Sequence, residues 1–319
     1  MTRRIRIGTR GSALARWQSD FVAAQLKHLL PNLDIDVVEI SSKGDQVTDQ
    51  PLWQVEGTGF FTATIEAALA DGRVDVAVHS YKDLPVTVTE GLVVAAVPPR
   101  APVEDVLCAR DGFTLDTLPA GARVGTCSAR RTAQMRSLRP DLHLQLLRGN
   151  VPTRVEKVKT GELDAVVLAR AGLVRLGLDR HITDVFAIDR VLPAPAQGAL
   201  AIQCRAADDW IAAALATLDH APTRRAVDAE RALLHALGGG CSVPVGAAAL
   251  AEGDGLALVA GVFSVDASQS IRTTVRGAEP VSLGEATARR LLALGADGIL
   301  DAFNKAARID APALIGGPQ

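Results

Sequence analysis

The chain has 319 residues, of which 48% are hydrophobic and 22% are charged, and its formal net charge is −2. This composition predicts a globular protein of two or three domains and argues against a general nucleic-acid or membrane-surface binder. No apolar run approaches the ~18 residues of a membrane-spanning helix, and the first residues show no apolar leader segment. We therefore expect a cytoplasmic protein without a nucleic-acid or membrane partner.

Two pairs of segments in the first two thirds of the chain repeat a local pattern. "RIRIGTRGSALARWQSDF" (4–21) and "ARVGTCSARRTAQMRSL" (122–138) each predict a strand, a turn and a helix, 117 positions apart when their Gly-Thr pairs are matched. "DGRVDVAV" (71–78) and "TGELDAVV" (160–167) each leave a helix through glycine into a strand, 89 positions apart. The first copy therefore has about 28 extra residues, mostly in the polar stretch 41–60. The repeat predicts two alike α/β lobes with a cleft between them, although any two βαβ units look similar at this level.

The remaining segments indicate the connections between the lobes and a third domain. Two proline-rich stretches, 95–106 and 191–204, are expected to cross between the lobes and to allow a hinge. The predicted domains are a first lobe of residues 1–98 and about 199–220, a second lobe of residues 99–198, and a small α+β domain of residues 221–319.

The C-terminal domain has its own pattern of elements. Residues 224–238 predict a helix that ends at Gly238. Three alternating runs within 243–277 predict an antiparallel meander. A final helical segment comes next, and Ser282 with Glu285 predicts a capping box at its start.

The cysteines are far apart in the sequence. Cys108, Cys127, Cys204 and Cys241 form no Cys-x-x-Cys motif, so neither a zinc site nor a redox pair is expected. Cys241 lies in "LGGGCSVPVG" (237–246). Three successive glycines are costly to order, and they suit a place where a bulky group must lie beside the thiol.

Arginines are concentrated at the predicted turns of the lobes. Arg10 follows the first Gly-Thr pair, and Arg130 and Arg131 lie at the start of a helix, where backbone amides favour an anion. Arg148 ends a predicted strand, and Arg154 lies about one helical turn further on. Arg175 follows later, in "AGLVRLGL". Guanidinium groups suit bidentate binding of carboxylates. Each arginine taken alone is also compatible with a solvated helix surface.

The stretch "VDVAVHSYKDLP" (74–85) combines a buried strand with polar residues at its carboxyl end. Ligands bind at this end of the strands in open α/β sheets. Asp83 precedes Leu-Pro, so a turn would direct its carboxylate into a cleft. Lys82 and Asp83 are also compatible with a surface ion pair, and His79 with a structural histidine.

In chain order the sequence contains "TRGSALA", "SKGD", "VAVHSYKDLP", "GTCSARR", "LRGNVPTR", "AGLVRLGL", "PAQGALAIQCR" and "GGGCSVPVG". Together these motifs resemble the porphobilinogen deaminase (hydroxymethylbilane synthase) family. The resemblance implies two periplasmic-binding-protein-like α/β lobes with a hinged cleft, followed by a small α+β C-terminal domain. It also implies a monomeric transferase of tetrapyrrole biosynthesis. Such an enzyme deaminates four porphobilinogen molecules and joins them head to tail into hydroxymethylbilane, releasing ammonia.

The resemblance also implies roles for individual residues and requires no metal. A dipyrromethane cofactor is attached through a thioether to Cys241, and Asp83 stabilises a cationic pyrrole intermediate and moves protons. The residues that it assigns to the cofactor are Lys82, Asp83, Ser128, Arg130, Arg131, Arg154 and Cys241. Those that it assigns to the carboxylate-rich substrate are Arg10, Ser12, Arg16, Gln18, Arg148, Asn150, Arg175 and Gln197.

Three positions depart from the family pattern. Thr58 stands where a lysine is usual, beside Glu56, in the loop 41–60 that we expect to be mobile and to shield the cleft. Cys127 replaces a serine, and Ala196 replaces a glycine at the presumed hinge.

Other classes of protein share some of these features. A two-lobe binding protein for a small polycarboxylate fits the arginine-lined cleft, but it predicts a secretory leader and gives no role to Cys241. A thiol hydrolase that pairs Cys241 with His235 lacks a third, orienting group. A nucleotide-binding dehydrogenase is disfavoured because "GTRGSALA" lacks the Gly-x-Gly-x-x-Gly spacing.

Overall fold

The structure is a computed structural model that describes residues 3–41, 62–240 and 243–309. The strands are β1 (Arg3–Thr9), β2 (Leu33–Glu39), β3 (Val76–Ser80), β4 (Leu92–Ala96), β5 (Asp105–Ala109), β6 (Arg123–Thr126), β7 (His143–Leu146), β8 (Ala165–Ala169), β9 (Asp184–Val185), β10 (Leu200–Arg205), β11 (Val245–Glu252), β12 (Gly255–Phe263) and β13 (Ser270–Gly277). The helices are α1 (Ala13–Leu29), α2 (Ala63–Ala70), α3 (Ala129–Leu138), α4 (Val151–Lys159), α5 (Arg170–Arg175), α6 (Asp209–Ala216), α7 (Ala221–Ala236), α8 (Pro280–Ala293) and α9 (Ala296–Ile309).

The chain divides into two compact units, which are described separately. The first comprises residues 1–48, 57–101 and 198–225, and the second comprises 49–56, 102–197 and 226–319. The second unit holds both an α/β sheet and the C-terminal sheet. The division of the chain into three domains stays a prediction.

The first unit is built on a five-stranded sheet in the order β2-β1-β3-β10-β4. β1 is parallel to β2 and β3, whereas β10 is antiparallel to β3 and β4. Apolar side chains alternate between the two faces of the sheet, as the twofold period of a strand requires. Val76 and Val78 pack in the cluster that contains residues of α1 and α6, and Ala77 packs with residues of α2 on the other face.

The second unit contains a sheet of the same design, in the order β7-β6-β8-β5-β9. Here β6 is parallel to β7 and β8, and β5 is antiparallel to β8 and β9. Gly8 of β1 pairs with Ala77, and Gly125 of β6 pairs with Val166. The matched residues are 117 and 89 positions apart, so the sequence repeat is confirmed to the residue. The prediction of two alike α/β sheets with a smaller C-terminal sheet is confirmed.

The repeat extends to an ion pair between a buried aspartate and a half-buried arginine at the start of each central strand. Asp75 accepts hydrogen bonds from the backbone N–H, Nε and Nη2 of Arg6, at 3.0, 2.9 and 2.8 Å. Asp164 accepts the same three from Arg123, at 2.8, 3.1 and 3.2 Å. In each copy the arginine also donates to the carbonyl oxygen of a glycine with positive φ at the end of the preceding helix. Each arginine thereby ties the helix end to the sheet.

The C-terminal sheet is the predicted antiparallel meander of β11, β12 and β13. α7 ends as predicted, since Gly238 has a φ of +66° and donates to the carbonyl oxygen of His235. The predicted capping box at Ser282 and Glu285 is wrong. α8 begins at Pro280, which needs no N–H partner in the first turn, and the Glu279 carboxylate accepts from the Ser282 N–H at 2.7 Å.

Candidate active site

Asp83 lies on a short turn that is firmly anchored in the first unit. β3 ends at Ser80 and continues into a 3₁₀ turn, Tyr81–Asp83, which the Leu84 N–H closes by donating to the Tyr81 carbonyl oxygen at 3.2 Å. Tyr81 and Leu84 are buried, while Asp83 itself is exposed. The turn therefore presents a carboxylate to solvent at the carboxyl end of a buried strand.

Gln18 supports this turn through a hydrogen bond to Ser80, the residue that precedes it. It is buried on α1, and its Nε2 donates to the Ser80 Oγ at 2.8 Å. The other predicted residues near the start of α1 are at or near the surface. Ser12 caps the helix by accepting from the Ala15 N–H at 3.2 Å, and exposed Arg16 pairs with Asp20 at 3.2 Å. Arg10 is half-buried in the turn after β1.

His79 lies in the interior beneath the Asp83 turn. The pKa of His79 is lowered to about 4, because burial and the charge of Arg10 outweigh the opposite effect of the Gln203 side chain. The imidazole is therefore neutral at physiological pH. Lys82, next to Asp83, is half-buried.

In the second unit Arg130 and Arg131 share the buried carboxylate of Asp105. Arg130 Nη1 lies 2.6 Å from Asp105 Oδ2, and Arg131 Nη2 lies 2.7 Å from Oδ1. Both arginines are at least 95% buried, and Asp105 is fully buried. Burial raises the pKa of Asp105, but the two guanidiniums outweigh this effect and hold it far below its usual range. Ser128 caps α3 just before these arginines and accepts from the Arg131 N–H at 3.5 Å.

Gln197 belongs to the same cluster. It is fully buried, and its Nε2 donates to Asp105 Oδ1 at 2.9 Å and to the Val103 carbonyl oxygen at 2.7 Å. The preceding residue, Ala196, has a φ of +61°, and its N–H donates to Glu230 Oε2 at 2.6 Å. Glycine is the residue that normally occupies this backbone conformation, so the structure explains why a glycine is usual here.

Arg148 is a second arginine site in the same unit. It follows β7, and its Nε and Nη2 atoms are buried without a hydrogen-bond partner among the described residues. Burial lowers the pKa of Arg148, the neighbouring Cys127 raises it, and Arg154 lowers it. Arg154 is held by a hydrogen bond of 2.7 Å to the Gly149 carbonyl oxygen. Unpartnered guanidinium nitrogens beside a second arginine are suited to bind a carboxylate.

The last two predicted polar residues of this unit have different environments. Asn150 caps α4, because its Oδ1 accepts from the Thr153 N–H at 3.0 Å. Arg175 is half-buried, and desolvation lowers its pKa to about 10.

The sequence analysis missed Asp105 and Gln134, which are both buried in the arginine cluster. The signal for Asp105 was an acidic residue at the start of an apolar strand. Cys241, Glu56, Thr58 and most of the loop 41–60 lie outside the described residues. Of the described residues on either side of Cys241 in the sequence, Gly240 has no described atom within 4 Å of an added Cβ, and Val243 packs against a cluster that includes Ala129, the first residue of α3.

The described residues offer neither a metal site nor a membrane-spanning helix. Within 3–41, 62–240 and 243–309, no three His, Cys, Asp or Glu side chains are grouped so that they could hold a metal ion. Over the same ranges, no helix is both long enough and apolar enough to cross a bilayer.

Comparisons with known proteins give a consistent result. Residues 5–213 match the family model described as porphobilinogen deaminase, dipyromethane cofactor binding domain, and residues 224–293 match the C-terminal domain of the same family. Porphobilinogen deaminase of Brevibacillus brevis is 45% identical over 296 residues, which cover 92% of this chain and 96% of that protein. The Moorella thermoacetica protein of the same name is 45% identical over 298 residues, covering 93% and 95%.

A solved methionine-binding protein, MetQ, overlaps 67% of this chain and 89% of its own chain at 12% identity, with a TM-score of 0.44. That likeness is too loose to support any statement about function. The sequence relationships are close and extend over nearly the whole chain. The chain belongs to the porphobilinogen deaminase family.

Proposed function

We propose that this chain is an enzyme of tetrapyrrole biosynthesis that deaminates porphobilinogen and joins four molecules into hydroxymethylbilane, using a covalently bound dipyrromethane cofactor. The family match supports the reaction and the cofactor. The observation that carries the proposal in the structure is the pair of buried, unpartnered nitrogens of Arg148. A binding protein for a small polycarboxylate would use the same arginines, but the family match does not favour it.

The polar residues of the second unit, together with Lys82 of the first, suit a cofactor that carries several carboxylates. We assign its attachment to Cys241, and its carboxylates to Lys82, Ser128, Arg130, Arg131 and Arg154. Arg130 and Arg131 already hold one carboxylate, that of Asp105, in a buried setting, which supports a preference for this type of ligand.

The carboxylates of porphobilinogen are assigned to the remaining polar residues. These are Arg10, Ser12, Arg16, Gln18, Arg148, Asn150, Arg175 and Gln197. Their surroundings differ: Arg148 offers free donors, whereas Gln18 and Gln197 support neighbouring groups through the bonds they make to Ser80 and Asp105. We expect Gln18 and Gln197 to act on the substrate mainly by holding those neighbours in place.

Asp83 is the group that we assign to the chemistry. When bound, the dipyrromethane supplies the pyrrole end to which each porphobilinogen is joined. The Asp83 carboxylate, exposed on a turn fixed by Tyr81 and Leu84, stabilises positive charge on the substrate pyrrole as ammonia leaves and accepts a proton afterwards. The Gln18–Ser80 hydrogen bond limits movement of this turn.

Further properties are proposals of the same kind. We infer a monomer in the cytoplasm, with no nucleic-acid or membrane partner, divided into domains 1–98 with about 199–220, 99–198 and 221–319. The near-neutral charge of the chain supports the absence of a nucleic-acid partner.

An intact-protein mass measurement tests the proposal. The wild-type protein should exceed its sequence mass by two linked pyrrole units, with the extra mass on the peptide that contains Cys241, and it should release ammonia from porphobilinogen. Cys241→Ser should lack both the extra mass and the activity. Cys127→Ser is the matched control, since it restores the residue usual in the family and should keep both. Unmodified wild-type protein with full activity would refute the proposed cofactor site.

A further inference from the structure

Gln134 lies one helical turn after Arg130 on α3 and holds the backbone that Arg130 contacts. Its Oε1 accepts from the Leu192 N–H at 2.8 Å, and its Nε2 donates to the Leu192 carbonyl oxygen at 3.1 Å. Arg130 Nη1 donates to the same carbonyl oxygen at 2.5 Å. Gln134 is 2% exposed and Arg130 is 3% exposed, so water does not compete for these bonds.

Arg272 of β13 supports this arrangement from the C-terminal sheet. Its Nη2 donates to Gln134 Oε1 at 3.2 Å and to the Arg190 carbonyl oxygen at 3.2 Å, and its Nη1 donates to the Asp189 carbonyl oxygen. Its guanidinium lies over the Phe263 ring, 5.2 Å from the centroid. Arg272 therefore fixes both Gln134 and the turn that leads into Leu192.

We propose that Gln134 and Arg272 are positioning residues that set the orientation of the Arg130 guanidinium through the Leu192 carbonyl group. A guanidinium is planar, so contacts to Asp105 and to Leu192 fix the directions of its other N–H groups. The inference rests on the proposed function, in which Arg130 binds a cofactor carboxylate. It deepens that function, because binding of the cofactor carboxylate by Arg130 then depends on Arg272, a residue of the C-terminal sheet.

The local packing supports such a dependence. Ala133 of α3 packs with Leu192 and Phe263, so an apolar contact runs beside the polar chain of Arg272, Gln134 and Leu192. A Cβ on Gly246 would lie 2.6 Å from the Leu192 Cβ, so β11 also approaches this residue closely. Leu192 has little freedom to move while these contacts remain, and its carbonyl group is a fixed acceptor.

The test uses Gln134→Met, which keeps the volume of the side chain but removes its polar atoms, Gln134→Glu, and Arg272→Met. Arg276→Met is the matched control, because Arg276 lies on the same strand and pairs at the surface with Glu252. For each purified protein we would measure the fraction that carries the covalent adduct, kcat and KM per loaded enzyme, and the thermal midpoint.

We expect Gln134→Met to lower kcat per loaded enzyme about tenfold with KM within about twofold, because a misplaced guanidinium affects the bound cofactor more than substrate entry. Gln134→Glu should show a similar loss, since it keeps an acceptor for Arg272 but has no donor for the Leu192 carbonyl group. Arg272→Met should show a smaller loss, and the double variant with Gln134→Met should be no worse than Gln134→Met alone. Arg276→Met should match the wild type.

Normal kcat and adduct fraction in Gln134→Met, with only a lower thermal midpoint, would reduce Gln134 to a structural role and overturn the inference. Fully additive effects of Gln134→Met and Arg272→Met on kcat would overturn it as well. The proposed function fails separately, if the wild-type protein carries no adduct and releases no ammonia.

Discussion

Replacing Asp75 by asparagine tests the ion pair that recurs in the two units. Asp75 accepts three hydrogen bonds from Arg6 and one of 2.9 Å from Arg205 Nη2, and its side chain is 11% exposed. Burial raises the pKa of Asp75, but the hydrogen bonds from Arg6 and Arg205 outweigh it and bring the pKa to about 2, against 3.8 ordinarily. At about 1.36 kcal/mol per pKa unit, the ionised carboxylate contributes on the order of 2 kcal/mol at pH 7.

The sign of the pH dependence follows from the lowered pKa. The contribution is complete well above pH 4, where the carboxyl group is ionised in both the folded and the unfolded chain. It falls as the pH approaches the folded pKa, to about half of its full value at pH 3. Asp75→Asn keeps the shape of the side chain and loses the charge, so its stability deficit should be about 2 kcal/mol at pH 7 and about half of that at pH 3.

Urea unfolding at the two pH values measures this deficit. In a Trp53→Phe background the remaining tryptophans, Trp17 and Trp210, both belong to the first unit, so the fluorescence reports its unfolding. Asp71→Asn is the matched control: its carboxylate is 65% exposed and lies 3.5 Å from Arg73, so its loss should change the stability by less than about 0.5 kcal/mol. A deficit for Asp75→Asn below about 1 kcal/mol at pH 7, or one that is equal at both pH values, would refute the reasoning.

Three other substitutions have definite expected outcomes. Asp83→Asn should fold normally and slow single-turnover ammonia release by ~10²–10⁴-fold or more, and Asp83→Glu should be less affected. A near wild-type rate in Asp83→Asn would mean that another group transfers the proton. Ala196→Gly should raise the unfolding free energy by roughly 0.5–1 kcal/mol, because its φ of +61° costs alanine more than glycine; a loss of stability in urea would contradict this. Gly284→Ala should lower the thermal midpoint by the equivalent of about 1–3 kcal/mol, because a Cβ at this position would overlap the Ala229 carbonyl oxygen. Gly298→Ala is the control and should not lower it, because a Cβ on Gly298 would meet no described atom within 4 Å.

The sequence was sufficient to predict the features that depend on neighbouring residues. The strand-turn-helix units, the meander and the end of α7 at Gly238 all follow from local patterns. The antiparallel strands of the two α/β sheets were not predicted. β5 and β10 lie partly in the stretches interpreted as crossings, and each pairs with strands that are distant in sequence, which a local pattern does not reveal.

The site shows the same limit. The helix start at Ser128 predicted an anion site at Arg130 and Arg131, and in the structure both arginines hold a carboxylate of the protein itself. That carboxylate is Asp105, which precedes them by 25 residues, and only the fold brings it there. The roles of these arginines toward the cofactor, and of Asp83 and Cys241 in the reaction, stay predictions that the proposed experiments address.

The placement of β10 has a consequence for how the protein is made. β4 lies at the edge of its sheet next to β10, which is synthesised about 100 residues later. Because protein synthesis proceeds at roughly 5–20 residues per second, β10, the strand between β3 and β4, is synthesised about 5–20 s after them. The strands of the second α/β sheet all lie within 105–185, so that sheet has its complete set of strands first. Of the two α/β sheets, the one whose first strands are translated earlier is therefore completed later, and its open strand edges are the ones that a nascent-chain chaperone would need to protect.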